Sequence, residues 1–140
     1  MFIEFSEEQT MLRDSAEKYL RDNYTFDRRQ AIVKQPRGFC AEHWQMFADL
    51  GWLAMTFSED AGGFGGGALE TMILCEHFGK HLVLEPYLES VVLVGGLIER
   101  GASAAIQEQV LSGIVSGELQ GAFAYLEEGR VAAPWSVATH

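Results

Sequence analysis

Apolar positions in the first part of the chain recur at helical spacing. Leu12, Ala16, Tyr19 and Leu20 lie at i, i+4, i+7 and i+8, one stripe of a helix predicted over 7–22. Ser6 ahead of Gln9 has the capping-box spacing, and Glu7 and Glu8 sit where a helix dipole favours negative charge. Asp22 and Asn23 are plausible terminators. Residues 24–40 are mixed, with Pro36 and Gly38, and leave room for a short helix over 27–33. Trp44, Phe47 and Leu50 mark the buried side of a helix over 41–50, after which Gly51 suits a left-handed cap. Trp52-Leu53-Ala54-Met55 is a short apolar stretch, and 58–67 is a loop by its glycine content. A further helix is predicted over 68–78, with Met72 and Cys75 inward, Leu69 and Phe78 beside them, and Gly79 at its end. Pro86 suits the first turn of a helix over 86–100 closed by Gly101. Ser103 then caps a helix whose stripe is Ile106, Val110, Leu111 and Ile114, closed by Gly117.

Over 119–126 the period changes to two. Phe123 and Tyr125 fall on one face, and Ala122, Ala124 and Leu126 on the other, which reads as a strand. The fold class is therefore all-α: an antiparallel bundle of four to five helices over 1–118, followed over 119–140 by one strand of an incomplete β domain. A single strand cannot satisfy its own backbone groups, so this last segment reads as the start of a sheet.

Charge changes the picture. The formal net charge is −10, and it is unevenly placed: residues 1–37 balance, while 38–140 hold only Lys80, Arg100 and Arg130 against thirteen acidic residues. Such a surface repels nucleic acid and anionic membranes, which need clustered Lys and Arg. The longest apolar run, 91–98, is far short of the ~20 residues a bilayer span requires. The N-terminus lacks the basic start of a signal peptide. Cys40 and Cys75 form no disulfide or zinc pattern. A soluble, reducing, cytoplasmic setting is expected.

Three local patterns invite chemistry. Gly63-x-Gly65-x-x-Ala68 imitates a dinucleotide fingerprint, with Glu85 about twenty residues on. Its neighbours all read as helix, however, so a plain interhelical loop is the expectation. His77, His81 and Glu85 are spaced by four, as three metal ligands on a helix face would be. Gly79 and Pro86 interrupt that helix, and surface or capping histidines are expected instead of a metal site. Glu127 and Glu128 are neighbours, so on a strand they point to opposite faces and share no substrate. No catalytic residue follows from any of these.

In order along the chain, the pieces resemble the N-terminal helical domain of the acyl-CoA dehydrogenase family. Phe5-Ser6-Glu7-Glu8-Gln9 with Leu12-Arg13 resembles the family's opening helix, and Trp44 through Leu50-Gly51-Trp52 its Trp helix. Ser58-Glu59-Asp60-Ala61-Gly62-Gly63-Phe64-Gly65 is similar to its Pro-Glu-x-x-Gly-Gly-x-Gly loop, and Glu76-His77-Phe78-Gly79-Lys80 to its Glu-x-x-Gly-Lys/Arg helix end. Gly101, Gln109-x-x-Leu and Gly117-Glu118 resemble the stretch before the β domain, and Ala124-Tyr125-Leu126-Glu127-Glu128 its first strand. Leu84-Glu85-Pro86-Tyr87-Leu88 looks most like the small-subunit branch of the bacterial enzymes, which act on dicarboxylic or steroid side-chain thioesters.

The resemblance implies an FAD-dependent enzyme that removes two hydrogens from an acyl-CoA. A carboxylate takes the α-proton and the flavin takes the β-hydride. It also implies homo- or hetero-oligomers with dehydrogenase subunits. The family's catalytic-glutamate segment lies outside these 140 residues, so the isolated chain is expected to be inactive. The alternative is a non-catalytic helical subunit or assembly module docking on a partner dehydrogenase chain. By the same resemblance Tyr125, Leu126 and Glu127 fall where the family meets its flavin, although Leu126 stands where the family carries threonine. The helix over 86–100 matches the one lining the acyl pocket, so Tyr87, Val91 and Val94 are the expected substrate contacts.

Overall fold

A computed structural model describes residues 4–125. α1 (Glu7–Asn23) opens on the expected box: the Ser6 side chain accepts from the Gln9 N–H, and the Gln9 side chain accepts from the Ser6 N–H at 3.0 Å. α2 (Phe26–Val33) is capped by Thr25, and α3 (Ala41–Asp49) ends at Gly51 with φ +76°. Short 3-10 turns at Trp52–Ala54 and Glu59–Ala61 follow. Next come α4 (Ala68–His81), a helix that is π-helical over Leu88–Gly95 and α-helical over Gly96–Gly101 (α5), and α6 (Ala104–Val115). All regular structure among the described residues is helical.

Leu50 and Ile106, read as inward-facing, are exposed, and four further expectations need correction. The helix over 68–78 does not stop at Gly79. It runs on to His81 and closes through Leu82, which takes the left-handed conformation at φ 53° while Val83 N–H reaches Phe78 O. A helical glycine costs only about 1 kcal/mol, too little to end a helix packed along its length. The buried face of that helix is also rotated: Ile73, Leu74, His77 and Phe78 are buried, Met72 is exposed and Cys75 is half-buried. Pro86 does open the next helix, its carbonyl accepting from the Ser90 N–H at 3.0 Å, but the body of that helix is π rather than α. Over 119–125 no strand forms, because no second strand exists among the described residues to complete a ladder.

α1 and α4 lie side by side and run in the same direction. Gln9 donates to Glu70 near both helix starts, and Lys80 near the end of α4 meets Glu17 at 3.0 Å. α6 folds back along the 88–101 helix after a tight connection at Ala102-Ser103. The core between these pairs holds Leu20, Phe47, Trp52, Leu53, Phe57, Leu74, Val91, Leu111 and Ile114. Aromatic rings are its frame: Phe47 stacks on Phe78 at 5.2 Å, and Trp52 sits 4.9 Å from Phe47 and edge-on to Tyr19.

The glycine loop folds onto the turn after α3. Gly65 N–H donates to Phe57 O at 2.7 Å and Gly66 N–H to Met55 O at 2.9 Å. A Cβ on Gly63 would run into the Phe57 carbonyl and lie 2.6 Å from Ala54 O, so only glycine permits this approach. The loop amides of Gly63 to Gly66 are thus committed to protein carbonyls and that of Gly67 to the Glu70 carboxylate, as suits an interhelical connection.

Candidate functional site

Two clefts open along the seam between α4 and the 88–101 helix. One, of about 430 Å³, is walled by Thr71, Met72 and Cys75 from α4, by Val91, Val92 and Gly96 opposite, and by Phe57 and the glycine loop at its end. Glu99 and Arg100 stand at its rim. The other, of about 440 Å³, lies between the end of α4 (Cys75, Phe78, Gly79, Leu82) and Leu84 to Glu89. Cys75 belongs to both. Burial pushes its thiol pKa up, so it stays uncharged and presents an apolar surface. Each volume lies in the range of small-molecule sites, about 300–1,000 Å³.

The start of the 88–101 helix is fixed by a buried polar cluster. Tyr24 O–H donates to Glu85 Oε2 at 2.9 Å and accepts from Leu84 N–H at 2.9 Å, while Cys40 N–H donates to Glu85 Oε1 at 3.1 Å. Glu85 is 5% exposed. The end of α1, the start of α3 and the Leu84-Glu85-Pro86 turn are thereby tied to one carboxyl group. Burial, reinforced by Glu85, drives the Tyr24 phenol well above its usual pKa, which keeps it a donor. Beside it, Tyr19 lies 2.6 Å from His43 Nδ1. Burial pushes Tyr19 up to about 12 and holds His43 below its ordinary value, which fits the phenol donating to an uncharged ring.

The expected substrate contacts divide. Tyr87 and Val91 are core residues that reach the clefts from within, Tyr87 to the second and Val91 to the first. Val94 turns to the segment after α6, where a Cβ on Gly121 would stand 2.7 Å from its Cγ1. Val92 and Gly96 line the first cleft beside Val91. Sequence reasoning missed Thr71 and Met72 as cleft residues and read Met72 and Cys75 as core. Their place opposite an apolar helix was the only available signal. Tyr125 is exposed and stacks on Phe123 at 5.9 Å, whereas Leu126 and Glu127 lie outside the described residues.

Elsewhere the suspected ligand sets separate. His77 Nδ1 stands 3.4 Å from Glu17 without hydrogen-bond geometry, and Glu85 is engaged by Tyr24 and Cys40. Among the described residues no His, Cys, Asp or Glu trio is arranged to hold a metal. Nor is any described helix long and apolar enough to cross a membrane.

A helical domain with an apolar cleft between two of its helices is the class that this geometry defines. Residues 6–118 match the family described as "Acyl-CoA dehydrogenase, N-terminal domain", and the chain belongs to that family. It is 34% identical over 94 residues to acyl-CoA dehydrogenase FadE27 of Mycobacterium tuberculosis, covering 67% of this chain and 25% of that protein. Acyl-CoA dehydrogenase IpdE2 of Mycolicibacterium smegmatis is 24% identical over 104 residues, covering 74% and 33%. Among solved structures, the ChsE4-ChsE5 complex of M. tuberculosis superposes with a TM-score of 0.78 at 29% identity, over 86% of this chain and 33% of that one. A variant of the steroid ACAD Tcur3481-Tcur3483 gives 0.80 at 28% identity, over 88% and 34%. The chain thus spans about a quarter to a third of the length of these relatives.

Proposed function

We propose that the chain is the N-terminal part of an FAD-dependent acyl-CoA dehydrogenase, with residues 1–118 as the helical domain and 119–140 as the start of the β domain. The clefts on either side of Cys75 receive the acyl portion of an acyl-CoA, with Tyr87 and Val91 forming the inner wall and Val92 and Met72 the outer one. The steroid ACAD among the structural neighbours favours a bulky, ring-bearing acyl group. One observation carries the reading: an apolar seam runs along the 88–101 helix, which the resemblance to the acyl-CoA dehydrogenases matches to the acyl-pocket helix.

The described residues fit a flavin on one side. Tyr125 and Phe123 are half-exposed, mutually stacked rings on a segment free of regular structure, a surface able to flank a planar ring system. Tyr125, with Leu126 and Glu127, would hold FAD there. Bound FAD supplies a two-electron acceptor for the β-hydride. The chain's own part is to bind and orient the acyl chain and to keep water from it. Removal of the α-proton is assigned to no residue of this chain, and the isolated chain does not turn over substrate.

Met72→Trp tests the cleft. The larger ring fills the space while Met72 itself contributes little to the core. Calorimetric titration with a long or ring-bearing acyl-CoA should lose at least about tenfold in affinity, since the energy of such sites comes from burying the ligand's apolar surface. Undiminished binding, or equal binding of free CoA by the unaltered chain, defeats the assignment.

A second reading has its own support. Leu88, Leu93, Leu97, Phe123 and Tyr125 are large, apolar and exposed, and one structural neighbour is a complex of two proteins. Apolar patches of this kind mark partner surfaces. A helical subunit docking on a dehydrogenase chain would sediment as a complex with it. A strict monomer in concentrated mixtures with that chain counts against docking.

A further inference from the structure

The segment after α6 is held to the 88–101 helix by one side chain. Ser90 is fully buried in the π-helical stretch. Its hydroxyl donates to Gly121 O at 3.1 Å and accepts from Gly121 N–H at 3.1 Å. Both backbone groups of one residue point to the same side only when that residue is extended, as in the hydrogen-bonded pairs of an antiparallel ladder. Ser90 therefore plays the part of a partner strand for a segment whose sequence reads as strand. Close approach is required as well. The Val94 side chain is branched at Cβ and stiff, and a Cβ on Gly121 would lie 2.7 Å from its Cγ1 and 3.1 Å from its Cβ. Upstream, Leu119 N–H donates to Gly113 O at 2.8 Å. Among the described residues, the backbone of 122–125 has no other tie to the helices.

We infer that Ser90 is a positioning residue: by clamping Gly121 to the acyl-cleft helix, it sets where Phe123 and Tyr125 stand. The inference rests on the reading of Tyr125 as a flavin-side residue and adds to it a physical link between the two ends of the proposed site. Ser90 touches neither ligand. It sits between Tyr87 and Val91, which wall the clefts, and it reaches the chain that leads to the cofactor. The π-helical register belongs to the same arrangement. Such segments recur at functional sites, and Ser90 and Val94, four residues apart on this one, both meet Gly121.

The test uses the full 140-residue chain and two variants that break the contact from opposite sides. Ser90→Ala removes the hydroxyl, and Gly121→Ala wedges the segment off Val94. In both, amide hydrogen exchange within 119–125 should rise at least about tenfold at residue 121, whose N–H donates to the Ser90 hydroxyl, the factor carried by a lost buried hydrogen bond, while exchange in α1 and α4 stays unchanged. That local pattern separates positioning from general destabilisation. FAD titration, followed by quenching of flavin fluorescence, should then show both variants binding at least about fivefold more weakly than the unaltered chain. Unchanged exchange at 119–125 in Ser90→Ala overturns the clamp. Raised exchange with unchanged FAD affinity overturns the positioning role while leaving the cofactor reading in place. An unaltered chain that binds no FAD overturns the cofactor reading, and the positioning role with it, whereas the exchange result still decides the clamp.

Discussion

The two sides of this domain are built differently. Around α1, α3 and α4, Tyr19, Phe47, Trp52 and Phe78 interlock, and the polar cluster on Glu85 is closed: both carboxyl oxygens and the Tyr24 hydroxyl have partners. Around the 88–101 helix the packing is open. Clefts flank Cys75, Leu93 and Leu97 face outward, and the Tyr87 hydroxyl is buried without a partner. The first side carries the interlocked aromatic packing, and the second carries the clefts. Within a single cooperative domain, that division lets one side tolerate the voids the other side needs.

The sharpest way to break this contrast is to truncate one apolar residue on each side. Trp52→Ala should cost about 3–5 kcal/mol of unfolding free energy in urea, the range for a large core side chain. Leu93→Ala should stay within about 0.5 kcal/mol, as exposed positions do. Equal losses would mean that the two sides share one evenly loaded core. Next in size is Glu85→Ala, which strands the Tyr24 hydroxyl and the Cys40 amide. A cost of about 2–4 kcal/mol is expected from orphaned buried donors. Tyr24→Phe in the same chain should recover part of it, because the two residues share one contact. Strict additivity of the two changes would show that the cluster is not a unit.

The closed side was the more legible in the sequence, for a physical reason. Its signals are local: Ser6 with Gln9, the stripe from Leu12 to Leu20, and Gly51 after α3 depend on neighbours a turn away, and each formed as read. The open side depends on distant contacts. No spacing rule announces a π-helix, along which Val91, Val92 and Gly96 all line the first cleft. The strand-like pattern over 119–125 found a serine where a sheet was expected. The closed side had its own exception: the continuation of α4 through Gly79 was decided by packing against α1. The sequence thus pointed to a helix that walls both clefts, while the facing wall at Thr71 and Met72 went unread.

The smallest expected effect concerns pH, and it belongs to the closed side. Burial holds His43 below its ordinary pKa, with Arg28 adding to that and Glu85 and Glu42 opposing it. His81 is lowered in the same direction, again first by burial. An unfolded chain takes up protons on both rings as the pH falls through about 6.5, while the folded chain resists until lower pH. Over that interval the unfolded state binds more protons, so stability rises with pH. The contribution is complete above the unfolded-state value and is lost as the pH falls toward the folded one. Urea midpoints measured from about pH 7.5 down to about pH 5 should therefore decline. His43→Gln should flatten the decline without abolishing it, since His81 remains. An unchanged slope in that variant would place the proton uptake outside the Tyr19–His43 pair, and the closed side would then owe nothing to an uncharged imidazole.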